Sequence, residues 1–314
     1  MGPAGGATND DRRSAPRLAT KPLSQTSKSA SKMCMHLIPL LLFANALFDF
    51  NHGAPFDVQE KAVEIRGEAK IRDLTFASTR GGRTAAYLVE PGKPVPRSPA
   101  VLFVHWYEPE SPDSNRTQYL KQAEELAAKG VRSLLVETMW SEPTWFPKRN
   151  RNDDFENSVA QVKELQRSLD FLLSQPGIDK DRVGYVGHDF GMMFGAILIG
   201  IDSRIKVCAL QAGTPLFADW YLYGPKMEEE ARKKFVQKLS EIDPVSYIGR
   251  PSSTTQFLLQ FGTSDRHVPR AKAEEFAAAV HSVKTVLWYE SGHGLNEQAV
   301  EDRQRWLAKQ LSLK

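Results

Sequence analysis

The chain of 314 residues is poor in cysteine and contains only Cys34 and Cys208. Two cysteines this far apart exclude a disulfide-rich scaffold and a Cys-x-x-Cys metal site. Apolar runs that would form several membrane spans are also missing, which excludes a multi-pass membrane protein. Hydrophobic residues make up 41% and charged residues 25% of the chain. This ordinary globular composition excludes a wholly disordered or collagen-like chain.

The chain has no excess of positive or negative charge outside its N-terminus. The net charge of +3 arises from 41 basic and 38 acidic residues. Residues 1–32 contain six of the basic and two of the acidic residues, which leaves 35 and 36 in the remainder. This near-neutral remainder lacks the main electrostatic support for nucleic-acid binding. We therefore expect a small uncharged molecule as the partner, and the sequence leaves the oligomeric state open.

The first 46 residues are typical of a leader. Residues 1–32 are rich in Gly, Ala, Ser, Thr and Pro without an apolar period, which predicts disorder. Residues 33–46 are uncharged, mostly apolar and end in Ala44-Asn45-Ala46, a pattern typical of a signal peptide and too short for a membrane span of about 20 residues. We predict a folded domain from residue 47 to 314 and export to the periplasm or medium. An over-extended start, or an amphipathic cap on the domain, would instead leave the protein in the cytoplasm.

Buried strands alternate with helices from residue 100 to the end. This order predicts a three-layer α/β/α sandwich around a mostly parallel, doubly wound sheet. Residues 62–90 alternate apolar and polar, which predicts two antiparallel strands with a turn at Gly81-Gly82, and residues 215–250 predict a short lid. Ligands bind beyond the carboxyl ends of the strands in such sheets. The predicted strands are 100–104, 131–136, 182–187, 207–210, 255–261 and 285–289, and the predicted helices are 115–129, 153–175, 192–201, 226–240, 270–281 and 295–312.

A short motif with the form of a nucleophile elbow joins the strand at 182–187 to an apolar helix. It reads Gly187-His188-Asp189-Phe190-Gly191, and Gly-x-nucleophile-x-Gly is meaningful in this strand–turn–helix setting. The central Asp189 carboxylate is ionised at neutral pH and needs no base to activate it. Its natural reaction is displacement at a saturated carbon, which gives a covalent ester that water then hydrolyses. The alternative is an elbow without catalysis, in which Asp189 caps the helix.

An acid and a histidine follow the next strands of the predicted sheet. Asp265 comes after the strand at 255–261, and His293 comes after the strand at 285–289. Asp265 is expected to orient His293, and His293 to activate water. The flanking Gly292 and Gly294 are expected to let this loop approach the other strand ends.

The loop after the strand at 100–104 reads His105-Trp106-Tyr107. Such a loop donates one backbone N–H to a developing oxyanion, and the residue after the nucleophile, Phe190, donates the other. Tyr107 is the favoured donor in this loop and Trp106 the second choice, while His105 is expected to hold the loop in place.

Two further histidines lie near these motifs. In an elbow the side chain of His188 is expected to point away from the nucleophile. His267 adjoins the acid loop but has no partner that the sequence identifies. Neither is included in the predicted catalytic set.

Taken together, residues 60–314 resemble the α/β-hydrolase superfamily and have a layout similar to dienelactone hydrolase-like proteins. The order nucleophile, acid, histidine is the order of that superfamily. The elbow itself is similar to the Gly-His-Asp-Trp/Phe-Gly elbow of haloalkane dehalogenases and epoxide hydrolases, which implies an Asp nucleophile with a His–acid pair. Asp189, His293 and Asp265 match these roles. Dienelactone hydrolases carry Cys where this chain has Asp189, and the Asp-nucleophile families carry a larger cap than residues 215–250.

Aromatic residues of the lid and of the loop at 139–146 predict an apolar pocket for a small or medium substrate. The resemblance to dehalogenases implies a halide-binding indole, for which Trp106 and Trp220 are candidates. The resemblance to epoxide hydrolases implies a lid tyrosine as acid, either Tyr221 or Tyr223. Lid packing is the alternative role for Trp220 and Tyr221. The predicted pocket residues are Trp140, Trp145, Trp220, Tyr221 and Tyr223.

We therefore predict a hydrolase that acts through Asp189 and a covalent ester on a C–halogen or epoxide bond. One alternative is a dienelactone hydrolase-like ester or lactone hydrolase in which Asp189 acts by another route. The other alternative is a non-catalytic binding protein on a hydrolase scaffold. The sequence has no P-loop, no Gly-x-Gly-x-x-Gly motif and no cluster of metal ligands, so it implies no cofactor and no metal.

Overall fold

The computed structural model describes residues 46–224 and 226–313. Except for Ala46, the predicted leader lies outside the described residues. The strands are β1 Gln59–Arg66, β2 Ala69–Ala77, β3 Arg83–Pro91, β4 Ser98–Val104, β5 Arg132–Val136, β6 Ile178–His188, β7 Val207–Gln211, β8 Gln256–Gly262 and β9 Val283–Tyr289. They form a sheet in the order β1-β2-β3-β5-β4-β6-β7-β8-β9.

The larger part of the sheet is parallel. Strands β5, β4, β6, β7, β8 and β9 pair in parallel, while β1, β2 and β3 join the β5 edge in antiparallel pairs. All seven residues of β4 are buried, as expected for a central strand that is covered on both faces. The predicted mostly parallel sheet is confirmed.

The antiparallel edge has one strand more than the sequence predicted. The apolar–polar alternation of residues 62–90 runs through a turn at Gly67, whose φ of 58° suits a residue without a side chain. The chain reverses there, so β1 and β2 are separate strands. The prediction of two strands is wrong because the alternation of apolar and polar residues continues without a break across the turn, so the pattern does not show where the chain reverses. Every residue of β1 is exposed.

Helices cover both faces of the sheet. They are α1 Leu120–Ala127, α2 Trp145–Lys148, α3 Asp154–Leu173, α4 Phe190–Ile201, α5 Phe217–Tyr221, α6 Glu229–Leu239, α7 Arg270–Ala279 and α8 Glu297–Gln310. Helices α3 and α4 pack together, whereas α8 meets α1 through a bond from Arg303 to Gln122. The predicted three-layer sandwich is confirmed. Within the described ranges, no helix combines the length and apolar character needed to cross a membrane.

The turn between β6 and α4 is held by close backbone packing. A Cβ atom at Gly191 would overlap the carbonyl group of Val104, and one at Gly187 would overlap the carbonyl group of Gly191. Between them, Asp189 has a φ of 56° and a ψ of −118°, a backbone conformation that is costly for a residue with a side chain. The turn therefore presents Asp189 at the carboxyl edge of the sheet, beside the ends of β4 and β7.

Replacing Gly191 with alanine is expected to destabilise the fold. The new methyl group would collide with the backbone of β4, which cannot move without disturbing the centre of the sheet. We expect the free energy of unfolding to fall by at least about 2 kcal/mol in urea titrations. Gly292→Ala is the matched control, because a Cβ there meets nothing within 4 Å. Equal stability of the two variants would contradict the close packing.

Candidate active site

The carboxylate of Asp189 is completely buried at the elbow. Its Oδ2 accepts a hydrogen bond from the backbone N–H of Tyr107 at 3.1 Å. Its Oδ1 is buried and has no hydrogen-bond partner among the described residues. Burial raises the pKa of Asp189 to about 6, while His293 and the N–H groups of Tyr107 and Phe190 act in the opposite direction. One oxygen of the carboxylate thus accepts a hydrogen bond from the protein, and the other accepts none from the described residues.

His293 and Asp265 form a hydrogen-bonded pair next to this carboxylate. The Nδ1 of His293 lies 2.8 Å from Oδ2 of Asp265, and the other carboxylate oxygen accepts from the N–H groups of His267 and Val268. The Nε2 of His293 is buried and unpartnered within the described part of the chain. Burial alone would lower the pKa of His293, but the bond to Asp265 and the charge of Asp189 outweigh it, and the pKa is raised.

The histidine loop approaches the sheet closely, although for a different reason from the one predicted. A Cβ at Gly292 or Gly294 would meet nothing within 4 Å, whereas a Cβ at Gly262 would lie 2.5 Å from the carbonyl oxygens of Ser291 and Gly292. The glycine at the end of β8 therefore makes room for the loop. The prediction that the glycines beside His293 do so is wrong, because their own Cα atoms face open space.

Removing the charge of Asp265 is expected to lower the pKa of His293. Asp265→Asn deletes a negative charge and the carboxylate that favours the imidazolium form. The burial of His293 would then dominate, so its pKa should fall below the wild-type value in an NMR titration. The control is Asp181→Asn, a carboxylate that is 92% exposed, which should leave this titration unchanged. An unaltered pKa in Asp265→Asn would contradict the pairing.

The donor loop after β4 presents Tyr107 rather than Trp106 to Asp189. The backbone N–H of Trp106 is bound to Oε1 of Gln118 at 2.9 Å, and its indole N–H is bound to Glu108 at 3.0 Å. Trp106, the second choice for the donor in this loop after Tyr107, is therefore wrong. Phe190 is buried at the start of α4, and its N–H acts on the Asp189 carboxylate as described above.

His105 holds the donor loop in place. Its Nδ1 donates to the carbonyl of Trp106 at 3.0 Å, and its Nε2 accepts from the hydroxyls of Ser141 and Thr138 at 2.7 and 3.0 Å. Burial lowers the pKa of His105 to about 4, so the ring stays neutral. These contacts match the holding role expected for His105.

A cavity of about 450 Å³ opens beside His293. Of the predicted pocket residues, Trp220 and Tyr223 line it, and Trp145 instead packs against Tyr107 and Phe190. The lining residues are Trp106, Tyr107, Glu108, Pro109, Pro143, Phe146, Pro147, Trp220, Tyr223, His267, His293 and Gly294. The wall is thus mostly aromatic and proline, with one carboxylate at Glu108.

Two predicted pocket residues lie in the core instead. Trp140 is fully buried, and its indole donates to the carbonyl of His105 at 3.1 Å. Tyr221 is also fully buried, and its hydroxyl is 2.8 Å from Ser158 of α3. Both predictions are wrong because each polar group is already satisfied inside the protein. Tyr221 is therefore unavailable as a proton donor to substrate.

The indole N–H of Trp220 differs from those of Trp106 and Trp140. It is buried and has no hydrogen-bond partner in residues 46–224 and 226–313. The Trp220 ring lies 5.6 Å from the His293 ring and 5.7 Å from the Phe190 ring. The ring that carries this donor lines the cavity.

The sequence did not assign a role to His267 or Glu108, which also line the cavity. The ring of His267 stacks on Trp220 at 5.5 Å and meets the His293 ring edge-on at 5.2 Å. Burial and the nearby His293 lower the pKa of His267. The sequence signal that could have identified His267 is its position two residues after Asp265, whose carboxylate accepts a hydrogen bond from the His267 N–H. Among the described residues, no three His, Cys, Asp or Glu side chains gather to hold a metal ion.

Solved structures with a similar fold include several hydrolases. Acetyl xylan esterase 1 from Thermoanaerobacterium sp. JW/SL YS485 superposes with a TM-score of 0.71 at 18% identity, over 86% of this chain and 93% of the esterase. A protein from Klebsiella pneumoniae subsp. pneumoniae MGH 78578, provisionally described as a dienelactone hydrolase, superposes with a TM-score of 0.53 at 14% identity, over 80% of this chain and 99% of the other. At these identities the similarity shows the α/β-hydrolase fold alone.

Sequence comparison points to the same superfamily. The chain is 25% identical over 181 residues to the Bacillus subtilis (strain 168) protein YtaP, which its name provisionally calls a hydrolase. The aligned region covers 52% of this chain and 59% of that relative's length. The profile of the prolyl oligopeptidase family matches residues 150–313, slightly more than half of the chain, including the elbow, Asp265 and His293. The predicted α/β-hydrolase resemblance is thus confirmed, and the chain belongs to the prolyl oligopeptidase family.

Proposed function

We propose that this hydrolase cleaves small, largely apolar carboxylic esters or lactones. The observation that carries the proposal is a pair of buried atoms, Oδ1 of Asp189 and Nε2 of His293, which have no hydrogen-bond partner among the described residues. Of the two residues, His293 also lines the aromatic cavity. Both atoms accept protons or hydrogen bonds, which is what a nucleophilic water requires. The similarity to an acetyl xylan esterase and to a provisional dienelactone hydrolase supports acyl chemistry in this site.

In this mechanism a water molecule, the second substrate, donates one hydrogen bond to Oδ1 of Asp189 and one to Nε2 of His293. His293 takes one proton while the water oxygen bonds to the carbonyl carbon of the ester. The indole N–H of Trp220 donates to the carbonyl oxygen as it becomes an oxyanion. The tetrahedral intermediate then breaks its bond to the alkoxide, which takes the proton from the His293 imidazolium. The products are a carboxylic acid and an alcohol, and Asp265 stabilises His293 throughout.

Asp189 acts in this scheme as a hydrogen-bond acceptor and a charge rather than as a nucleophile. Its attack on an ester carbonyl would form an anhydride, which is less favourable than the ester it replaces. In addition, the Tyr107 N–H already donates to Oδ2 of Asp189. The oxyanion formed by attack on the ester carbonyl would need this donor. Its negative charge instead raises the pKa of His293 and so strengthens the base that activates water.

A second candidate function is displacement at a saturated carbon, with a C–halogen or epoxide substrate. The observation that favours it is the asymmetry of the Asp189 carboxylate, in which Tyr107 holds Oδ2 and Oδ1 stays free. Oδ1 would form the bond to carbon, and Trp220 would donate its indole N–H to the departing halide or alkoxide. His293 would then direct water at the covalent ester on Asp189.

A substrate panel separates these candidates. We expect p-nitrophenyl acetate and a small lactone to be hydrolysed, and 1-bromobutane and styrene oxide to be inert. Each rate should disappear in His293→Gln and persist in His281→Gln, an exposed histidine that serves as the control. Turnover of only the bromide or the epoxide would replace the first candidate with the second. If none of the four compounds is turned over, both candidate functions fail for small substrates. The alternative of a non-catalytic binding protein on a hydrolase scaffold is then favoured.

A further inference from the structure

His188 is the elbow residue whose side chain the proposed chemistry does not use. It is the last residue of β6 and is only 2% exposed. Its Nε2 lies 2.9 Å from the backbone carbonyl oxygen of His293, which is 105 residues away in the chain. A carbonyl oxygen only accepts hydrogen bonds, so Nε2 carries the proton and donates it.

The same ring also contacts the donor loop. Its centre lies 4.9 Å from the Trp106 ring and 5.2 Å from the His293 ring. Trp106 directly precedes Tyr107, whose N–H holds Asp189. One side chain therefore touches both loops that meet at the Asp189 carboxylate, while its own backbone leads directly into Asp189.

We propose that His188 is a positioning residue that fixes the His293 imidazole relative to Asp189. It does so by donating a hydrogen bond to the His293 carbonyl and by packing against the Trp106 ring in the loop after β4. The proposal rests on the proposed function only in taking His293 as the base for water, a role that both candidate mechanisms share. It goes beyond the sequence expectation, in which His188 merely points away from the nucleophile.

The neutral form of the ring suits this role. Burial, and then the nearby His293, lower the pKa of His188 well below its ordinary value. The groups that face it are the His293 ring and carbonyl, the Trp106 ring and, at longer range, the buried guanidinium of Arg303 on α8. None of these is an acid that would favour the imidazolium form. The ring therefore stays uncharged across the pH range in which His293 titrates, and the bond to the His293 carbonyl keeps its single proton on Nε2.

The test compares His188→Leu, which fills space without donating, with His188→Gln, whose amide can donate to the same carbonyl. A misplaced base loses rate in the chemical step with little change in substrate binding. We expect kcat for the best substrate to fall about 10- to 100-fold in the leucine variant, with KM within about 2-fold of wild type. The glutamine variant should stay within about 5-fold of the wild-type kcat.

A readout that does not need activity accompanies the kinetics. The Nδ1 proton of His293, shared with Asp265, should give a low-field NMR signal in the wild type and in His188→Gln, and a broadened or shifted signal in His188→Leu. Thermal melts establish that each variant is folded. Wild-type kcat and signal in a folded His188→Leu would overturn the proposal. If the leucine variant does not fold, a His188→Gln protein that loses both kcat and the signal would overturn it equally. Because the NMR comparison stands without turnover, failure of the ester panel would not obscure it.

Discussion

Replacing Asp189 with asparagine is expected to reduce kcat/KM for ester hydrolysis at least about 100-fold. The change removes the negative charge beside His293. It also replaces the free Oδ1, or the oxygen held by Tyr107, with an amide that donates instead of accepting. Initial rates with p-nitrophenyl acetate measure the loss. Asp181→Asn, on an exposed carboxylate, is the matched control and should keep the wild-type rate.

The pH dependence gives the same variant a second readout. In the wild type, water activation requires an ionised Asp189, with its pKa raised to about 6, and a neutral His293, whose pKa is also raised. Activity should therefore rise with pH as both groups lose their protons. In Asp189→Asn the charge that raises the pKa of His293 is gone, so the residual activity should rise at lower pH. Wild-type rates and an unchanged profile would show that Asp189 takes no part.

Replacing His293 with glutamine is expected to have an even larger effect, a loss of at least about 1,000-fold. Glutamine cannot take a proton from water or return one to the leaving group. The rising limb of the pH profile that belongs to His293 should also disappear. Stopped-flow and steady-state rates measure the loss, and a thermal melt checks the fold. Activity within about 10-fold of wild type would place the base elsewhere, with His267 as the neighbouring imidazole to examine.

Much of the fold could be predicted from the sequence. The uninterrupted apolar residues of β4 and the strand–helix alternation after residue 100 predict a covered parallel sheet, and the structure has one. The turn at Gly67 was missed because alternation reports which face a residue occupies and says nothing about chain reversal. An isolated glycine is a weak signal, and only the pairing of β1 with β2 reveals its turn.

Asp265 and His293 form a hydrogen bond, and the charge of Asp189 acts on His293. The sequence could predict this proximity because each residue follows a parallel strand, and the carboxyl ends of parallel strands share an edge. The surroundings of this set were harder to predict. Trp140 and Tyr221 were expected in the pocket because they are aromatic and lie in a loop after a strand and in the lid. Neither the side-chain type nor the position in the chain says which way an indole or phenol points. Both polar groups are satisfied in the core, by His105 and Ser158.

Contacts between distant parts of the chain explain the other misses. The N–H of Trp106 is taken by Gln118 from the segment before α1, and His188 meets the carbonyl of His293 across 105 residues. No local pattern encodes either contact. The chemistry shares this limit, because the Asp189 carboxylate, with Oδ2 held by Tyr107 and Oδ1 without a partner in the described residues, is compatible with both proposed routes. Only a measurement such as the substrate panel distinguishes them.

The most direct test of the account follows oxygen-18 from labelled water through a single turnover of an ester, with enzyme in excess over substrate. If His293 directs water at the ester carbonyl, the label enters the carboxylic acid product and the peptide that contains Asp189 stays unlabelled in mass spectra. Label in Asp189 would contradict this account, because it would mean that the carboxylate forms a covalent intermediate that water then attacks.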